Sequence, residues 1–134
     1  MKEIKELVMT KKKKYEIEFE IKSSPKILFP YIATASGLSE WFSDDVRQSD
    51  HLFTFIWEGV GQKAKLVTKK ENSLIRFAWV DDPENTWFEI EIVQDDITSD
   101  VAIVVRDFSV ENEIEENQLV WQGAIQKLMR IIGS

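Results

Sequence analysis

The longest periodic stretch of the chain spans residues 112–132, close to the C-terminus. Its apolar residues recur at steps of three, four or seven, which places them on one stripe of an α-helix. The stripe consists of Ile114, Trp121, Ile125, Leu128 and Ile132, widened by Val120, Ala124 and Ile131. Asn112 and Glu115 have the spacing of a capping box, and Gly133 is a natural stop. The pattern predicts one long helix that needs an apolar surface to pack on.

Most of the chain before this helix alternates apolar and polar residues, as half-buried β-strands do. Residues 15–22 are the clearest case, with Tyr15 and three other apolar side chains on one face and charged side chains on the other. Further strands are predicted at residues 46–48, 52–57, 64–68, 74–80, 86–93 and 101–108. Short polar turns separate them, which indicates an antiparallel sheet.

Two short helices are predicted after the first strand. Ser24 and Pro25 suit the N-cap and the first helical position of one helix, and residues 36–42 form the other. The predicted fold class is therefore α+β. One curved antiparallel sheet of six or seven strands packs on the long C-terminal helix.

Length and charge limit the classes of protein that the chain can belong to. Its 134 residues predict a single domain over residues 1–134, with residues 1–12 as a flexible leader and Met9 as an alternative start to Met1. The 17 basic and 24 acidic side chains give a net charge of −7, which argues against nucleic acid as a partner. No apolar run approaches the length of a membrane span, so we expect no membrane insertion and a cytoplasmic location.

The residue types that carry most catalytic and metal chemistry are scarce. The chain has no cysteine, and His51 is its only histidine, so thiol catalysis and histidine metal sites are not expected. Three acidic pairs stand in predicted turns, namely Asp44-Asp45, Asp81-Asp82 and Asp95-Asp96. Aspartate is favoured in turns for conformational reasons alone. We therefore predict no catalytic residue, no metal and no cofactor.

Aromatic residues are the one feature of the composition that points towards function. They make up 11% of the chain, and several alternate along predicted strands so that they share a face. Large side chains between a curved sheet and a helix either fill the space or line a cavity. Both alternatives stay open at this stage.

Several segments together resemble a known family. They are the first strand with its Ser24-Pro25 end, residues 33–42 (Ala-Thr-Ala-Ser-Gly-Leu-Ser-Glu-Trp-Phe), Phe55-x-Trp57, Asp107-Phe108 and Trp121. The order of elements and these segments resemble the START-like, or SRPBCC, superfamily, which has the helix-grip fold of Bet v 1. Within it, the chain is similar to homologues of the Hsp90 ATPase activator domain. Val120 departs from the family pattern, which often has glycine before the helical tryptophan.

The resemblance implies a ligand cavity between the inner face of the sheet and the terminal helix. Carried onto this chain, the cavity candidates are Trp41, Phe55, Trp57, Phe77, Trp79, Trp121 and Ile125. The leading hypothesis is non-catalytic binding of a small apolar or amphipathic ligand. One alternative is a co-chaperone-like interaction module, with a partner protein or a second copy as partner. The other is a cyclase or hydrolase that uses an acidic residue in the cavity.

Different structural features favour each of the three hypotheses. An enclosed apolar cavity favours the ligand carrier. A filled core with an exposed apolar patch favours the interaction module. A buried carboxylate with a raised pKa inside a cavity favours the enzyme.

Overall fold

A computed structural model describes residues 11–133 of the chain. Its strands are β1 (Lys12–Ile21), β2 (Asp45–Ser49), β3 (Leu52–Trp57), β4 (Val60–Lys70), β5 (Leu74–Trp79), β6 (Trp87–Gln94) and β7 (Val101–Val110). Its helices are α1 (Pro25–Ala33), α2 (Ala35–Trp41) and α3 (Ile114–Ile132), the last preceded by a 3₁₀ turn at Glu111–Glu113. The strands form one antiparallel sheet in the order β1-β7-β6-β5-β4-β3-β2. The predicted helix-grip architecture is confirmed.

The first strand is longer than the sequence pattern indicates. It begins at Lys12, which pairs with Val110 of β7, rather than at Tyr15. Residue 12 was predicted to be part of a leader; residues 1–10 of that leader lie outside the described residues. The four consecutive lysines at residues 11–14 hide the start of the strand, because they break the alternation of apolar and polar side chains.

The two short helices begin at side-chain caps. The Ser24 hydroxyl accepts a hydrogen bond from the backbone N–H of Ile27 at 3.2 Å, as predicted. The Thr34 hydroxyl accepts one from the backbone N–H of Gly37 at 2.9 Å and starts α2. Gly37 allows α2 to approach α1 closely, since a Cβ atom there would lie 2.1 Å from the carbonyl oxygen of Pro30.

The long helix packs on the sheet through a narrower stripe than predicted. Trp121, Ile125 and Leu128 are buried, whereas Val120 and Ile131 are 66% and 40% exposed. Gly133 ends the helix in the left-handed conformation with φ of 75°, as predicted.

The predicted capping box at the start of this helix is wrong. Asn112 lies inside the 3₁₀ turn, and Glu113 occupies the N-cap position without a side-chain hydrogen bond. The turn itself leads the chain from β7 into the helix, so the capping position falls later than the spacing indicated.

The two faces of the sheet have different chemistry. The inner face carries the fully buried Phe53, Phe55, Phe77 and Phe88 and packs against the helices. The outer face carries an ion-pair network around Arg106, which contacts Glu16 at 2.7 Å, Glu89 at 2.8 Å and Glu91 at 3.0 Å. Ligand-sized space next to the helix must therefore lie on the inner side.

Candidate functional site

A cleft opens at one end of the interface between the sheet and α3. It lies where β3 and β5 end, where β6 begins and beside the first half of α3. Its lining residues are Phe42, Trp57, Trp79, Phe88, Asp107, Asn117, Val120, Trp121 and Ala124. Its volume is about 170 Å³. An engineered protein cavity of roughly 150 Å³ holds one benzene molecule, so the cleft has room for a single ring and a short substituent.

Five aromatic rings form most of the wall. Phe42, the residue after α2, stacks on Phe88 with ring centroids 5.0 Å apart and lies 5.4 Å from Trp121. Trp57 and Trp79 stand on the other side, with ring centroids 6.5 Å apart. Trp57 is held in place because its indole N–H donates to the backbone oxygen of Phe42 at 3.0 Å. Contacts between rings thus link strands, helix and loop around one space.

Among residues 11–133, a single titratable side chain lines the cleft, that of Asp107. Its Oδ2 accepts hydrogen bonds from the Trp121 indole N–H at 2.8 Å and from the Tyr15 hydroxyl at 3.2 Å. Its Oδ1 accepts one from the backbone N–H of Phe108 at 2.8 Å. Burial raises the pKa of Asp107, and the three hydrogen bonds reduce that increase. Burial and the charge of Asp107 together raise the pKa of Tyr15.

A second polar group stands next to this carboxylate on α3. The side-chain amide nitrogen of Asn117 donates to the hydroxyl of the buried Ser109 at 2.6 Å. That contact leaves the amide oxygen of Asn117 as an acceptor near the cleft. The Asp107 carboxylate therefore only accepts, whereas the Asn117 amide can still accept through its oxygen and donate through its second N–H.

The structure divides the sequence-predicted cavity residues into two groups. Trp57, Trp79 and Trp121 line the cleft. The other four, Trp41, Phe55, Phe77 and Ile125, are buried in the packed core. The indole N–H of Trp41 donates to the backbone oxygen of Tyr31 at 2.9 Å, which joins α2 to α1. The ligand role of the three cleft residues stays a prediction.

Several cleft residues were missed by the sequence reasoning, namely Phe42, Phe88, Asp107, Asn117, Val120 and Ala124. For Asp107 a signal exists in the sequence. It follows Val101, Ile103 and Val105 at alternate positions of β7, so it falls on the inner face, where a carboxylate is unusual. Phe42 carries no comparable signal, because its role depends on how α2 packs on the sheet.

The acidic pairs in the turns have structural roles. Asp95 accepts from the backbone N–H groups of Ile97 and Thr98, both at 2.8 Å, and Asp44 accepts from that of Glu58 at 2.7 Å. Within residues 11–133, no three His, Cys, Asp or Glu side chains come together in a way that could hold a metal ion. In the same part of the chain, no helix is long and apolar enough to cross a bilayer.

Comparison with known proteins places the chain in a family. A family model for the START-like superfamily domain matches residues 9–134. The chain therefore belongs to the START-like superfamily. No curated protein matches the chain significantly.

Solved structures of other proteins have a similar fold. The protein BfR322 of Bacteroides fragilis is 32% identical, with 91% of this chain and 92% of that chain covered and a TM-score of 0.65. The Aha1 dimer of Colwellia psychrerythraea is 15% identical, with 87% and 93% covered and a TM-score of 0.72. An uncharacterised protein of Bacillus thuringiensis is 12% identical, with 91% and 100% covered and a TM-score of 0.76. The last two likenesses are of fold alone.

Proposed function

We propose that the protein binds a small, flat and mainly apolar molecule in the aromatic cleft, without catalysis and in the cytoplasm. The observation that carries this proposal is the cleft itself, in which five aromatic rings surround a space of about 170 Å³. Trp57 and Trp79 are only partly buried although they are large and apolar, so a flat ligand would cover surface that water now contacts. The size restricts the ligand to about one ring with a short substituent.

The centre of the interface between sheet and helix is filled by packed side chains. Phe53, Phe55 and Phe77 are fully buried and contact one another, with centroid distances of 4.8 Å and 5.3 Å for the two pairs that include Phe77. Ile125 and Leu128 of α3 are also fully buried. A long-chain lipid would need these groups to move apart, which close packing opposes. We therefore propose a small ring compound as the ligand, rather than a larger amphipathic molecule.

The tryptophans themselves provide the test. Benzyl alcohol, a neutral ring with a short arm, is titrated into protein with ¹⁵N-labelled indole groups. The indole signals of Trp57, Trp79 and Trp121 should shift together along one single-site binding curve. Trp87 is an internal control, because it lies on the outer face of the sheet against Arg76 and Phe108. Absence of shifts at the three cleft tryptophans, or equal shifts at Trp87, would contradict the proposal.

A matched pair of variants locates the binding. Ala124→Leu adds three carbon atoms at a partly buried position that lines the cleft, and it should weaken benzyl alcohol binding about tenfold or more by filling the space. Ala102→Leu makes the same change on the outer face of β7, opposite Glu20 and Val93, and should leave binding unchanged. Equal affinities of the two variants would show that the ring binds elsewhere.

Two observations favour other functions. Asp107 has a raised pKa inside a cleft, which is the condition for acid–base catalysis, but in the described part of the chain no second titratable group lines the cleft. Leu119 and Val120 are each 66% exposed on α3, and Leu119 lines a groove that also contains Ile17 and Phe19 of β1. This patch suits a second copy of the chain, and the structurally similar Aha1 protein is a dimer. If no ring compound binds the cleft, interaction through this patch becomes the leading function.

A further inference from the structure

Asp107 is a carboxylate that meets only neutral donors. Its partners are the Trp121 indole, the Tyr15 hydroxyl and the backbone N–H of Phe108. Among residues 11–133, no lysine, arginine or histidine nitrogen lies within ion-pair distance of it. The charge of Lys12 acts on Asp107 only from beyond ion-pair distance. A buried carboxylate with no cation in contact is unfavourable, and a positive charge brought next to it relieves that cost.

The carboxylate has capacity for one more donor. Two carboxylate oxygens offer about four lone-pair positions, and the recorded hydrogen bonds use three. Asn117, which also lines the cleft, has an amide oxygen that can accept, and one of its two N–H groups is used by Ser109. The charged group that a ligand meets among the described lining residues is the Asp107 carboxylate, which only accepts and so favours a group with several N–H donors, such as an ammonium.

The walls and the overall charge favour a cation as well. Five of the nine lining residues are aromatic, and the π electrons of tryptophan and phenylalanine attract positive charge. The net charge of −7 draws cations towards the protein at long range. Arg106, Arg76 and the cationic end of α3 do not line the cleft. The geometry of the cleft, the aromatic walls and the net charge of the protein thus all favour a positively charged ligand.

We propose that the cleft binds a small aromatic amine in its protonated form. The ammonium group donates a hydrogen bond to Asp107, and the ring lies among the tryptophans. This inference rests on the proposed ring-binding function and names the class of ligand. A charge-assisted hydrogen bond and a cation–π contact distinguish such a ligand from a neutral ring of the same shape. The expected preference for the cation is about tenfold.

Benzylamine and benzyl alcohol form the test pair, because they have the same ring and arm, and benzylamine is protonated at neutral pH. Both are titrated into the whole protein and followed by the indole signals of Trp57, Trp79 and Trp121. Benzylamine should bind about tenfold more tightly, and the preference should persist when added salt screens the surface charge. Equal affinities would overturn the inference and leave the ring-binding function intact. Failure of both compounds to bind would overturn both.

A matched pair of charge variants identifies the acceptor. Asp107→Asn keeps the shape of the side chain and should reduce the ratio of benzylamine affinity to benzyl alcohol affinity to about twofold or less. Asp96→Asn removes the same charge from an exposed turn between β6 and β7 and should keep the preference. A preference that survives Asp107→Asn would show that the cation is recognised elsewhere. The comparison of the two compounds on the unmodified protein decides the ligand class even if Asp107→Asn does not fold.

Discussion

The two ends of the interface between the sheet and α3 are built from different side chains. At the closed end, Ile125 and Leu128 are fully buried and belong to a continuous core. At the open end, Trp57, Trp79 and Trp121 surround a cleft although their side chains are larger. Size of side chain alone therefore does not decide whether the interface is filled.

Hydrogen bonds donated by the indole groups explain why one end of the interface is open and the other is filled. The N–H groups of Trp57 and Trp121 donate to the Phe42 backbone and to Asp107, and each bond fixes the direction of its ring. A ring held by its polar edge cannot turn to fill a neighbouring gap without losing that bond. Isoleucine and leucine have no polar atom to satisfy, so they adopt whichever rotamer packs best. The open end is thus kept open by polar anchors.

Leu128→Ala, at the closed end, has the largest expected effect on stability. It removes a fully buried side chain, and such changes reduce the free energy of unfolding by about 2–5 kcal/mol. Gln126→Ala is the control on the exposed side of the same helix and should change it by less than about 0.5 kcal/mol. Urea denaturation measures both. Similar midpoints for the two variants would mean that the closed end is not packed as described.

A pair of glycine variants compares a position at a tight contact between two helices with a position on an open helix surface. Gly37→Ala should destabilise the protein by about 1–3 kcal/mol, because its Cβ would lie 2.1 Å from the backbone oxygen of Pro30. Gly123→Ala, in α3, should stabilise it by about 0.5–1 kcal/mol, since no atom lies within 4 Å of the added Cβ and alanine is the better helix former. Thermal unfolding would show opposite shifts. A shift of the same sign in both would contradict the close approach of α2 to α1.

Sequence periodicity predicted which face of a strand each side chain lies on, but not where along the interface between sheet and helix it lies. The alternation along β3 and β5 correctly placed Phe55, Trp57, Phe77 and Trp79 on the inner side of the sheet. Alternation does not say how far along the gap a side chain lies. Phe55 and Phe77 are therefore packed in the core, whereas Trp57 and Trp79, two residues later, stand at the cleft.

Features that depend on how two elements meet could not be predicted from one sequence. Asn112 has the spacing of a capping box, but the chain turns out of β7 there in a 3₁₀ conformation. Val120 fits the apolar period of α3, yet the helix faces the sheet at an angle that leaves it 66% exposed at the rim of the cleft. In both cases the local pattern is misleading, because the way in which two elements meet decides the outcome.

The pH dependence of stability gives the smallest expected effect, and it probes the polar anchor at the open end. Burial raises the pKa of Asp107 in the folded protein above its value in the unfolded chain. Below the unfolded value both states carry the proton, so Asp107 contributes no difference. As the pH rises through the interval between the two values, the unfolded chain ionises first. The contribution of Asp107 to stability therefore falls with pH across that interval and then stays constant.

The difference in free energy of unfolding between the unmodified protein and Asp107→Asn isolates this contribution, because other titrating groups cancel. Urea denaturation is measured from about pH 3 to pH 7. As the pH rises, the free energy of unfolding of the unmodified protein should fall relative to that of Asp107→Asn. Tyr15 faces the carboxylate and does not titrate in this range, because its own pKa is raised. The positive charge of Lys12 favours the ionised carboxylate and partly opposes the effect of burial. If the difference instead favoured the unmodified protein with rising pH, the hydrogen bonds from Trp121, Phe108 and Tyr15 would outweigh burial. Asp107 would then be a satisfied structural anchor, and an incoming cation would have little to gain there.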